Sequence, residues 1–320
     1  MAVASSDPLV GVLLDRLGDD PATIVEPQGE FGARTTYRVG GVARVMVTVS
    51  SPSALMVVIG VAAEADVPVM MLGRGSNMLV ADAGFDGVVI RLGSFADQIE
   101  IDAASADGDI TVTAGAAVAL PVLARKTAAA GCAGFEWAVG VPGSIGGAVR
   151  MNAGGHGSDM AASLTSALIA DTVSGVTSDR DVESIGLSFR ASHLTDSDVV
   201  LSARLRLRSD DPRATQSRID DVVRWRREHQ PGGQNCGSVF VNPVPGEVSA
   251  GALIDSLGLR GFRIGTAEVS MRHANFIQAD QGGRANDVAA VIDEVRHRVA
   301  DATGYVLRSE VRMVGFDALD

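Results

Sequence analysis

Two polar side chains stand in small or apolar surroundings where their chemistry could be used. Ser238 lies in the stretch QNCGSVFVNP (234–243), and Arg190 lies in LSFRASHL (187–194). A serine hydroxyl in such a place caps a turn or, on a strand end that faces a pocket, transfers a proton. An arginine holds a carboxylate through two parallel hydrogen bonds, or simply covers a strand edge. On these local patterns alone, the turn cap and the surface arginine are the favoured interpretations.

Charged residues in the C-terminal third also have a structural and a functional interpretation. Glu310 alternates with Arg308 and Arg312, which puts the three on one face of a predicted strand and favours surface ion pairs. Arg224, Arg226, Arg227 and His229 lie at the basic end of a predicted helix. There they either pair with the helix dipole or attract an anionic ligand.

Glycine is concentrated in two segments beyond what turns require. The first is LGRGSNMLV (72–80), after a predicted strand, and the second is WAVGVPGSIGGAVRMNAGGHG (137–157). Successive backbone N–H groups in such segments can form a concave anion site suited to a pyrophosphate. Neither segment has P-loop spacing or a GxGxxG pattern followed by an acid, which disfavours a P-loop ATPase and a Rossmann domain. Tight turns between strands are the alternative.

The composition limits the class of protein. The chain has 320 residues, 46% hydrophobic and 21% charged, which suggests two or three domains. A net charge of −12 argues against nucleic acid or an anionic membrane as a partner. Two cysteines without CxxC spacing, and an N-terminus without a secretory pattern, predict a reducing cytoplasm. The five scattered histidines predict no metal site.

The order of the predicted elements indicates a mixed fold. Strands are predicted over 43–49, 67–72 and 87–92, with a helix from Ser51 between the first two, so part of the sheet is expected to be parallel. Alternation over 198–209 predicts a half-buried strand. A strand is also predicted over 109–118, helices over 119–131, 214–230, 249–258 and 286–304, an irregular strand-like part over 261–278, and a last strand over 305–315. Domain limits are expected near residues 92 and 223.

Several stretches spread along the chain together resemble one family. They are TTYRVGG (35–41), GRGSN (73–77), GVPGSIGGAVRMNAGG (140–155), LSFRASHL (187–194), CGSVFVNP (236–243), AGALIDSLGLRGFRIGTAEVSMRHANFI (250–277) and SEVRMVG (309–315). This set resembles the flavin-dependent UDP-N-acetylenolpyruvoylglucosamine reductases of bacterial cell-wall synthesis, over roughly residues 30–316. The glycine segments resemble other flavoproteins as well, whereas the serine, histidine-asparagine and terminal glutamate stretches are specific to this reductase.

The resemblance implies an architecture and a reaction. The expected fold is α+β / α/β, with a two-subdomain, PCMH-like FAD-binding fold at 1–92 and 93–223 and a C-terminal α/β substrate-binding domain at 224–320, whose last strand could return to the FAD domain. The expected reaction is the NADPH-dependent reduction of the enolpyruvyl ether of UDP-N-acetylglucosamine to UDP-N-acetylmuramic acid. Only 33 residues separate Arg190 from Arg224, which indicates the shorter subtype without an extra tyrosine loop. A monomer is expected.

The resemblance also assigns roles to residues. Arg190 would hold the substrate carboxylate, Ser238 would donate a proton, and Glu310 would steady the enolate or return a proton. The expected FAD-binding residues are Gly73, Arg74, Gly75, Ser76, Asn77, Gly140, Val141, Pro142, Gly143, Ser144, Gly146, Gly147, Asn152 and Gly154. The expected substrate-binding residues are Arg227, His229, Asn242, His273 and Asn275.

The chain departs from the family at three positions, and two rival functions remain. Val241 replaces a long polar residue, His229 often replaces a lysine, and His156 replaces a common tyrosine. One rival is another FAD-dependent oxidoreductase of the same fold, which would not need Ser238 and Glu310 together with Arg190. The other is a non-catalytic flavin- or nucleotide-binding protein. A serine hydrolase is poorly supported, since NCGSVFV is not G-x-S-x-G.

Overall fold

The computed structural model describes residues 7–18 and 20–316, in which helices and strands are mixed along the chain. The α-helices of these residues are α1 Pro8–Leu17, α2 Pro52–Glu64, α3 Leu120–Ala129, α4 Ile145–Met151, α5 Val182–Ile185, α6 Pro212–His229, α7 Ala250–Ser256 and α8 Ala285–Thr303. The strands are β1 Ile24–Gly29, β2 Ala43–Val49, β3 Val69–Met71, β4 Met78–Val80, β5 Phe85–Leu92, β6 Ile99–Ile101, β7 Asp109–Gly115, β8 Cys132–Ala133, β9 Gly154–Gly155, β10 Ser158–Asp159, β11 Leu164–Asp171, β12 Thr177–Asp181, β13 Asp198–Ser209, β14 Arg263–Ile264, β15 Ala267–Val269, β16 Ile277–Ala279 and β17 Arg312–Val314. The predicted α+β class is confirmed.

Contacts divide the chain into two units. The larger unit comprises the described residues up to Pro27 together with Val45–Arg74 and Gly87–Arg226. The smaller unit comprises Gln28–Arg44, Gly75–Asp86 and the described residues from Arg227 onward. The expected three domains with limits near 92 and 223 stay a prediction.

The first sheet of the larger unit has the strand order β1-β2-β5-β3. β2 occupies the predicted range, and α2 begins as predicted, with the Ser51 hydroxyl accepting a hydrogen bond from the Ala54 N–H at 3.1 Å. β3 pairs in parallel with β5, which confirms a parallel part of the sheet. β3 is shorter than predicted because the Val67 N–H bonds to Ala62 at the end of α2 and Pro68 has no N–H to donate.

The second sheet of the larger unit is built around the long strand β13. Its strand order is β12-β11-β13-β7-β6, with β8 paired to the end of β13, and these strands all pair in antiparallel fashion. β13 matches the predicted strand, and its inward residues, such as Leu205 and Leu207, are buried. Leu120 and Leu123 of α3 belong to the same hydrophobic cluster. The alternating pattern therefore identified the central strand of this sheet.

The second glycine segment is not a continuous loop, contrary to what its composition suggests. It contains α4, which ends at Asn152 in the left-handed conformation with φ +39°. Gly146 and Gly147 have low helix propensity, so the local sequence did not predict a helix. Tertiary packing overrides that propensity, because Ile145 is fully buried and a Cβ on Gly146 would lie 3.0 Å from the Ala116 Cβ. The helix α1 was also not predicted.

The smaller unit packs α7 and α8 with short strands around its own core. β14, β15 and β16 form an antiparallel sheet, and β17 pairs in parallel with β4, with Arg312 opposite Met78. One apolar face of α8 is buried, including Val288, Ile292 and Val295. The helices predicted over 249–258 and 286–304 and the irregular segment between them are therefore confirmed.

The last predicted strand is wrong over most of its length. Residues 305–308 form no ladder, Ser309 makes an isolated antiparallel bridge to Phe240, and regular pairing begins only at Arg312. The pairing partner changes between these points, and the Ser309 hydroxyl accepts a hydrogen bond from the Val311 N–H, which competes with strand pairing. Glu310 therefore does not lie on a regular strand face with Arg308 and Arg312.

Two observations bear on the expected environment of the protein. Cys132 and Cys236 are both buried free thiols. None of the helices within residues 7–18 and 20–316 is long and apolar enough to cross a membrane. The first six residues of the N-terminal segment lie outside the described residues, and the cytoplasmic location stays a prediction.

Asp82 caps α8 from a distant part of the chain, and its removal tests how the smaller unit holds that helix. Its carboxylate accepts hydrogen bonds from the N–H groups of Ala285 at 2.8 Å and Asn286 at 3.2 Å, while Arg284 at the N-cap makes no side-chain cap bond. We expect Asp82→Ala to lower the free energy of unfolding by about 1–2 kcal/mol. Asp82→Asn keeps an acceptor oxygen, so its free energy of unfolding, measured with urea, should fall clearly less than that of Asp82→Ala. Equal losses of unfolding free energy in the two variants would contradict the capping role.

Candidate active site

Arg190 is held by backbone carbonyls of the larger unit. Its guanidinium donates to the carbonyl of Gly154 at 3.0 Å and, more weakly, to that of Asn152 at 3.4 Å. The side chain is about 5.3 Å from the centre of the Phe189 ring, which is 64% exposed. Arg190 and Phe189 line one cavity of about 340 Å³ together with Gly154 and Gly155. The arginine is thus fixed at the wall of an open cavity rather than lying loosely on a strand edge.

Asn152 organises the wall of this cavity. It is 3% exposed, and its side chain donates to the carbonyl of Ser188 at 3.0 Å and to the Asp159 carboxylate at 3.1 Å, while its oxygen accepts from the Ala161 N–H at 3.0 Å. These bonds use both N–H donors of the amide and one of the two lone pairs of its oxygen. The side chain of Asn152 thus holds the backbone that leads into Arg190, and the expected contact of Asn152 with FAD stays a prediction.

Three residues around the cavity have left-handed backbone conformations that glycine usually adopts. They are Asn152 (φ +39°), His156 (φ +52°) and Arg190 (φ +55°). Non-glycine residues in this region are uncommon, and they concentrate at functional sites because the surrounding structure must impose them. The strain supports a functional assignment for this cavity.

Two of the predicted glycines lie where the backbone packs closely against other parts of the same unit. In the larger unit, a Cβ on Gly73 would lie 2.3 Å from the Ser144 hydroxyl, so the two predicted FAD loops touch there. In the smaller unit, Gly75 has φ +59° and a Cβ on it would lie 2.8 Å from the Thr35 Cα. Glycine is therefore required by packing at both positions.

The N–H of one predicted glycine is already used within the protein. The Gly146 N–H donates to the carbonyl of Ala116, and the Ile145 N–H before it donates to that of Val118, both at 2.9 Å. The Gly143 carbonyl accepts from the Leu120 N–H at 3.0 Å. The Gly146 N–H thus serves helix packing, and the expected contact of Gly146 with FAD stays a prediction.

Ser238 and Glu310 are brought together within the smaller unit. Ser238 is exposed, and the carbonyl of the next residue, Val239, accepts a hydrogen bond from the Glu310 N–H at 2.8 Å. The Val241 N–H donates to the carbonyl of Arg308 at 2.9 Å, which continues the contact between the two segments. Residues 72 positions apart thus lie side by side, as the proposed chemistry needs.

Two asparagines fix these segments. Asn275 is 5% exposed, and its side chain accepts from the Phe240 N–H and donates to the Phe240 carbonyl, both at 2.9 Å. The Asn77 side chain donates to the Glu310 carbonyl at 2.7 Å, and its own carbonyl accepts from the Arg312 N–H at 2.9 Å. Asn275 was expected to bind substrate and Asn77 to bind FAD; here their side chains position the backbone beside Ser238 and Glu310.

The other predicted substrate residues also belong to the smaller unit. Arg227 and His229 are exposed in the last turn of α6, and the Arg227 carbonyl accepts from Arg272 at 2.7 Å. Asn242 is exposed, and its side chain accepts from the Ala250 N–H at 3.1 Å at the start of α7. The His273 ring packs 4.8 Å from that of Phe276, and burial, with the nearby Arg260, lowers the pKa of His273 below its usual value.

Arg226, His156 and Trp225 form a cluster beside Gly140 in the larger unit, which the sequence alone did not bring together. A Cβ on Gly140 would lie 3.1 Å from both the Arg226 Cδ and the His156 Cδ2. The His156 ring meets the Trp225 ring edge-on at 4.9 Å. Burial, followed by the Arg226 charge, lowers the pKa of His156, and burial lowers the pKa of Arg226. The signals in the sequence were the departure at His156 and the place of Arg226 in the basic end of the predicted helix.

The described residues contain no group of three or more His, Cys, Asp or Glu side chains that could hold a metal ion. The candidate reactive groups are a guanidinium in the larger unit and a hydroxyl and a carboxylate in the smaller unit. Such groups can bind anions and hold or transfer protons, and none of them carries electrons.

Comparison with known proteins places two family models on the chain. A model described as "FAD binding domain" matches residues 43–177, and one described as "UDP-N-acetylenolpyruvoylglucosamine reductase, C-terminal domain" matches residues 229–314. UDP-N-acetylenolpyruvoylglucosamine reductase of Gloeobacter violaceus is 40% identical over 91% of this chain and 96% of its own length. The Bacillus subtilis protein of the same name is 37% identical over 88% and 91%. The crystal structure of the Thermus caldophilus reductase matches with a TM-score of 0.75 and 32% identity, over 91% of this chain and 98% of that one.

Removal of the Asn275 amide tests its positioning role. Asn275→Ala leaves the buried Phe240 N–H and carbonyl without their partners, and we expect a loss of about 2–4 kcal/mol in the free energy of unfolding. Asn286→Ala, at an exposed position of α8, is the matched control and should change the free energy of unfolding by less than about 0.5 kcal/mol. Urea unfolding followed by circular dichroism measures both. Equal midpoints for the two variants would contradict the assignment.

The Cys236 thiol, two residues before Ser238, is expected to be inert. Burial raises the pKa of Cys236 to about 12, so the reactive thiolate is scarce at pH 8. In a Cys132→Ala variant, we expect a disulfide reagent to react with native Cys236 at least ~100-fold more slowly than with the unfolded chain, and faster as the pH rises. Comparable rates in both states would show that the thiol is exposed.

Proposed function

Because this chain belongs to the UDP-N-acetylenolpyruvoylglucosamine reductase family, we propose that it reduces the enolpyruvyl ether of UDP-N-acetylglucosamine to UDP-N-acetylmuramic acid, with FAD as cofactor and NADPH as electron donor. The observation that carries the proposal is agreement over the whole length: relatives named for this activity cover about nine-tenths of the chain. The product is a peptidoglycan precursor, so the protein would serve cell-wall synthesis, and with it cell shape and division. It would act in the cytoplasm, as a monomer.

The residues that would hold FAD are the glycine segments at 73–77 and 140–147 with Gly154; all of them lie within the range matched by the FAD-binding model, residues 43–177. Bound FAD would supply the hydride chemistry, with NADPH as the source of electrons, because no side chain of the protein can carry a hydride. The side chains of this chain must then bind the substrate carboxylate, stabilise the negative charge that develops on it, and deliver a proton.

Arg190 is proposed to bind the substrate carboxylate. Its two hydrogen bonds to the carbonyls of Gly154 and Asn152 orient the guanidinium at the wall of the cavity. A fixed cation beside a carboxylate stabilises charge as it accumulates in an enolate, at no cost of reorganisation. The strained backbone at Arg190 supports this assignment, because such strain is retained where position matters.

Ser238 is proposed to donate the proton to the substrate carbon. Its hydroxyl is exposed, and its backbone is fixed through Val239 and Phe240 rather than by the serine side chain itself. A serine hydroxyl is a weak acid, but a carbanionic enolate is a strong base, so a positioned hydroxyl can protonate it. No described residue has its N–H capped by the Ser238 hydroxyl, which removes the turn cap as an explanation for this serine.

Glu310 is proposed to act beside Ser238. The contact between its N–H and the Val239 carbonyl supports that position. Two roles remain: Glu310 steadies the enolate through a protonated or hydrogen-bonded carboxyl, or it returns a proton after turnover. Arg227 and His229, both exposed at the end of α6, are proposed to attract the diphosphate of the sugar nucleotide, and Asn242 and His273 to lie near the substrate.

Replacement of Ser238 tests the proton-donor role directly. In the holoprotein of Ser238→Ala, NADPH should still bleach the flavin, whereas reoxidation by the enolpyruvyl sugar nucleotide should be at least ~10²-fold slower. Anaerobic stopped-flow absorbance measures the two half-reactions separately. Ser256→Ala, an exposed serine on α7, is the control and should reoxidise at the wild-type rate.

The result also separates the rival functions. Normal reoxidation by Ser238→Ala would remove the serine from the mechanism. A wild-type holoprotein that NADPH reduces but the enolpyruvyl sugar nucleotide does not reoxidise would favour another FAD-dependent oxidoreductase of this fold. A protein that binds flavin and is not reduced at all would favour the non-catalytic alternative.

A further inference from the structure

Arg226, near the end of α6, is a half-buried cation without a counter-charge. Within residues 7–18 and 20–316, its guanidinium has no ion pair and no hydrogen bond, whereas Arg218 on the same helix pairs with both Glu136 and Asp210. Withdrawing a cation from water costs free energy unless an anion or hydrogen-bond acceptors replace the water. An unpartnered guanidinium in such a place indicates an anion that the protein itself does not contain.

The surroundings hold the guanidinium against the glycine segment. The Arg226 Cδ lies 3.1 Å from where a Cβ of Gly140 would be, and so does the Cδ2 of the His156 ring. His156 is in turn packed edge-on against Trp225, which precedes Arg226 on the helix. A side chain at Gly140 would therefore press on both the arginine stem and the His156 ring.

Arg226 is the charged member of this cluster. Burial and the neighbouring guanidinium both lower the pKa of His156, so its imidazole is neutral near pH 7. Desolvation strengthens the field of Arg226 at short range, because less water screens it. A group that binds beside Gly140 thus meets one strong positive charge and one neutral aromatic ring.

We propose that Arg226 is the counter-charge for an anionic group of the bound flavin cofactor beside Gly140, with His156 and Trp225 holding it in place. The inference rests on the proposed FAD dependence. Gly140 and His156 lie inside the range matched by the FAD-binding model, residues 43–177, while Arg226 lies between that range and the C-terminal match at 229–314. Neither match includes Arg226.

The anionic group has two possible sources in the same cofactor. The diphosphate is negative in every redox state, so a contact with it stabilises oxidised and reduced FAD equally. The pyrimidine edge of the isoalloxazine gains negative charge only on reduction, so a contact with it favours the reduced form. The two sources are separated by measuring affinity and reduction potential on the same variant.

The test compares Arg226→Met with Arg226→Lys and with Arg213→Met, all as full-length holoproteins. Methionine keeps an apolar stem and removes the charge, and lysine keeps the charge. Arg213 is exposed at the other end of α6, about 20 Å away by helix rise, and its replacement changes the net charge by the same amount. Oxidised FAD affinity is read from flavin fluorescence on dilution, and the midpoint potential from equilibration with a reference dye.

For a diphosphate contact, Arg226→Met should bind oxidised FAD at least ~10-fold more weakly with an unchanged midpoint potential. For a contact with the ring, reduced FAD should lose at least ~10-fold more affinity than oxidised FAD, which lowers the potential by about 30 mV for two electrons. Arg226→Lys and Arg213→Met should stay within ~3-fold of wild type. If Arg226→Met does not fold, Arg226→Gln replaces it.

The proposal would be overturned if Arg226→Met bound FAD with wild-type affinity and had the wild-type midpoint potential. It would also be overturned if Arg213→Met changed these two quantities as much as Arg226→Met does. These readouts need bound flavin but no sugar nucleotide. A wild-type protein that binds FAD and fails to turn over the enolpyruvyl substrate would thus refute the proposed function and leave this test intact. A wild-type protein that does not bind FAD would refute both.

Discussion

The proposed chemistry in the smaller unit depends on one contact. This contact joins the segment after Ser238 to the segment around Glu310. It consists of backbone hydrogen bonds, one of them from the Glu310 N–H to the Val239 carbonyl. Backbone pairing is insensitive to the side chains at its edges, so the reactive groups can be small or polar without loss of position. Ser238 can therefore remain exposed, with its hydroxyl uncommitted to any cap.

Two buried amides make this arrangement rigid. The Asn275 side chain forms hydrogen bonds with both the N–H and the carbonyl of Phe240, and the Asn77 side chain donates a hydrogen bond to the carbonyl of Glu310. A buried backbone group without a partner costs about as much as a lost hydrogen bond, so each amide selects one arrangement of its loop. An asparagine has a similar role in the larger unit. The Asn152 side chain donates a hydrogen bond to the Ser188 carbonyl, and the Asn152 backbone carbonyl accepts one from Arg190. Asparagine thus positions a candidate reactive group in each unit.

The sequence predicted those parts of the fold whose signals are local. The strand at 198–209 alternates along most of its length, and α2 carries a serine cap followed by proline, so neighbouring residues were sufficient to identify them. The strand predicted over 305–315 and the helix α4 failed because distant partners decide them. Ser309 pairs with Phe240, and the packing of Gly146 against Ala116 overrides glycine's low helix propensity. Family resemblance supplied Arg190, Ser238 and Glu310, for which local patterns favoured structural roles.

A residue near a site can contact the ligand itself, or it can position another residue that contacts the ligand. Neither the local sequence pattern nor the family resemblance distinguishes these two roles. Asn77, Asn152 and Asn275 all fall in stretches expected to bind cofactor or substrate, yet their side chains are used by the protein backbone. Arg226 is the opposite case: the sequence marked it only as one of four basic residues at the end of a helix, and its guanidinium has no partner among the described residues. The hydrogen bonds of each side chain separate these cases, because a polar group that already has its partners within the protein has few donors or acceptors for a ligand. A desolvated charge without a partner still requires one, and that requirement points to the cofactor.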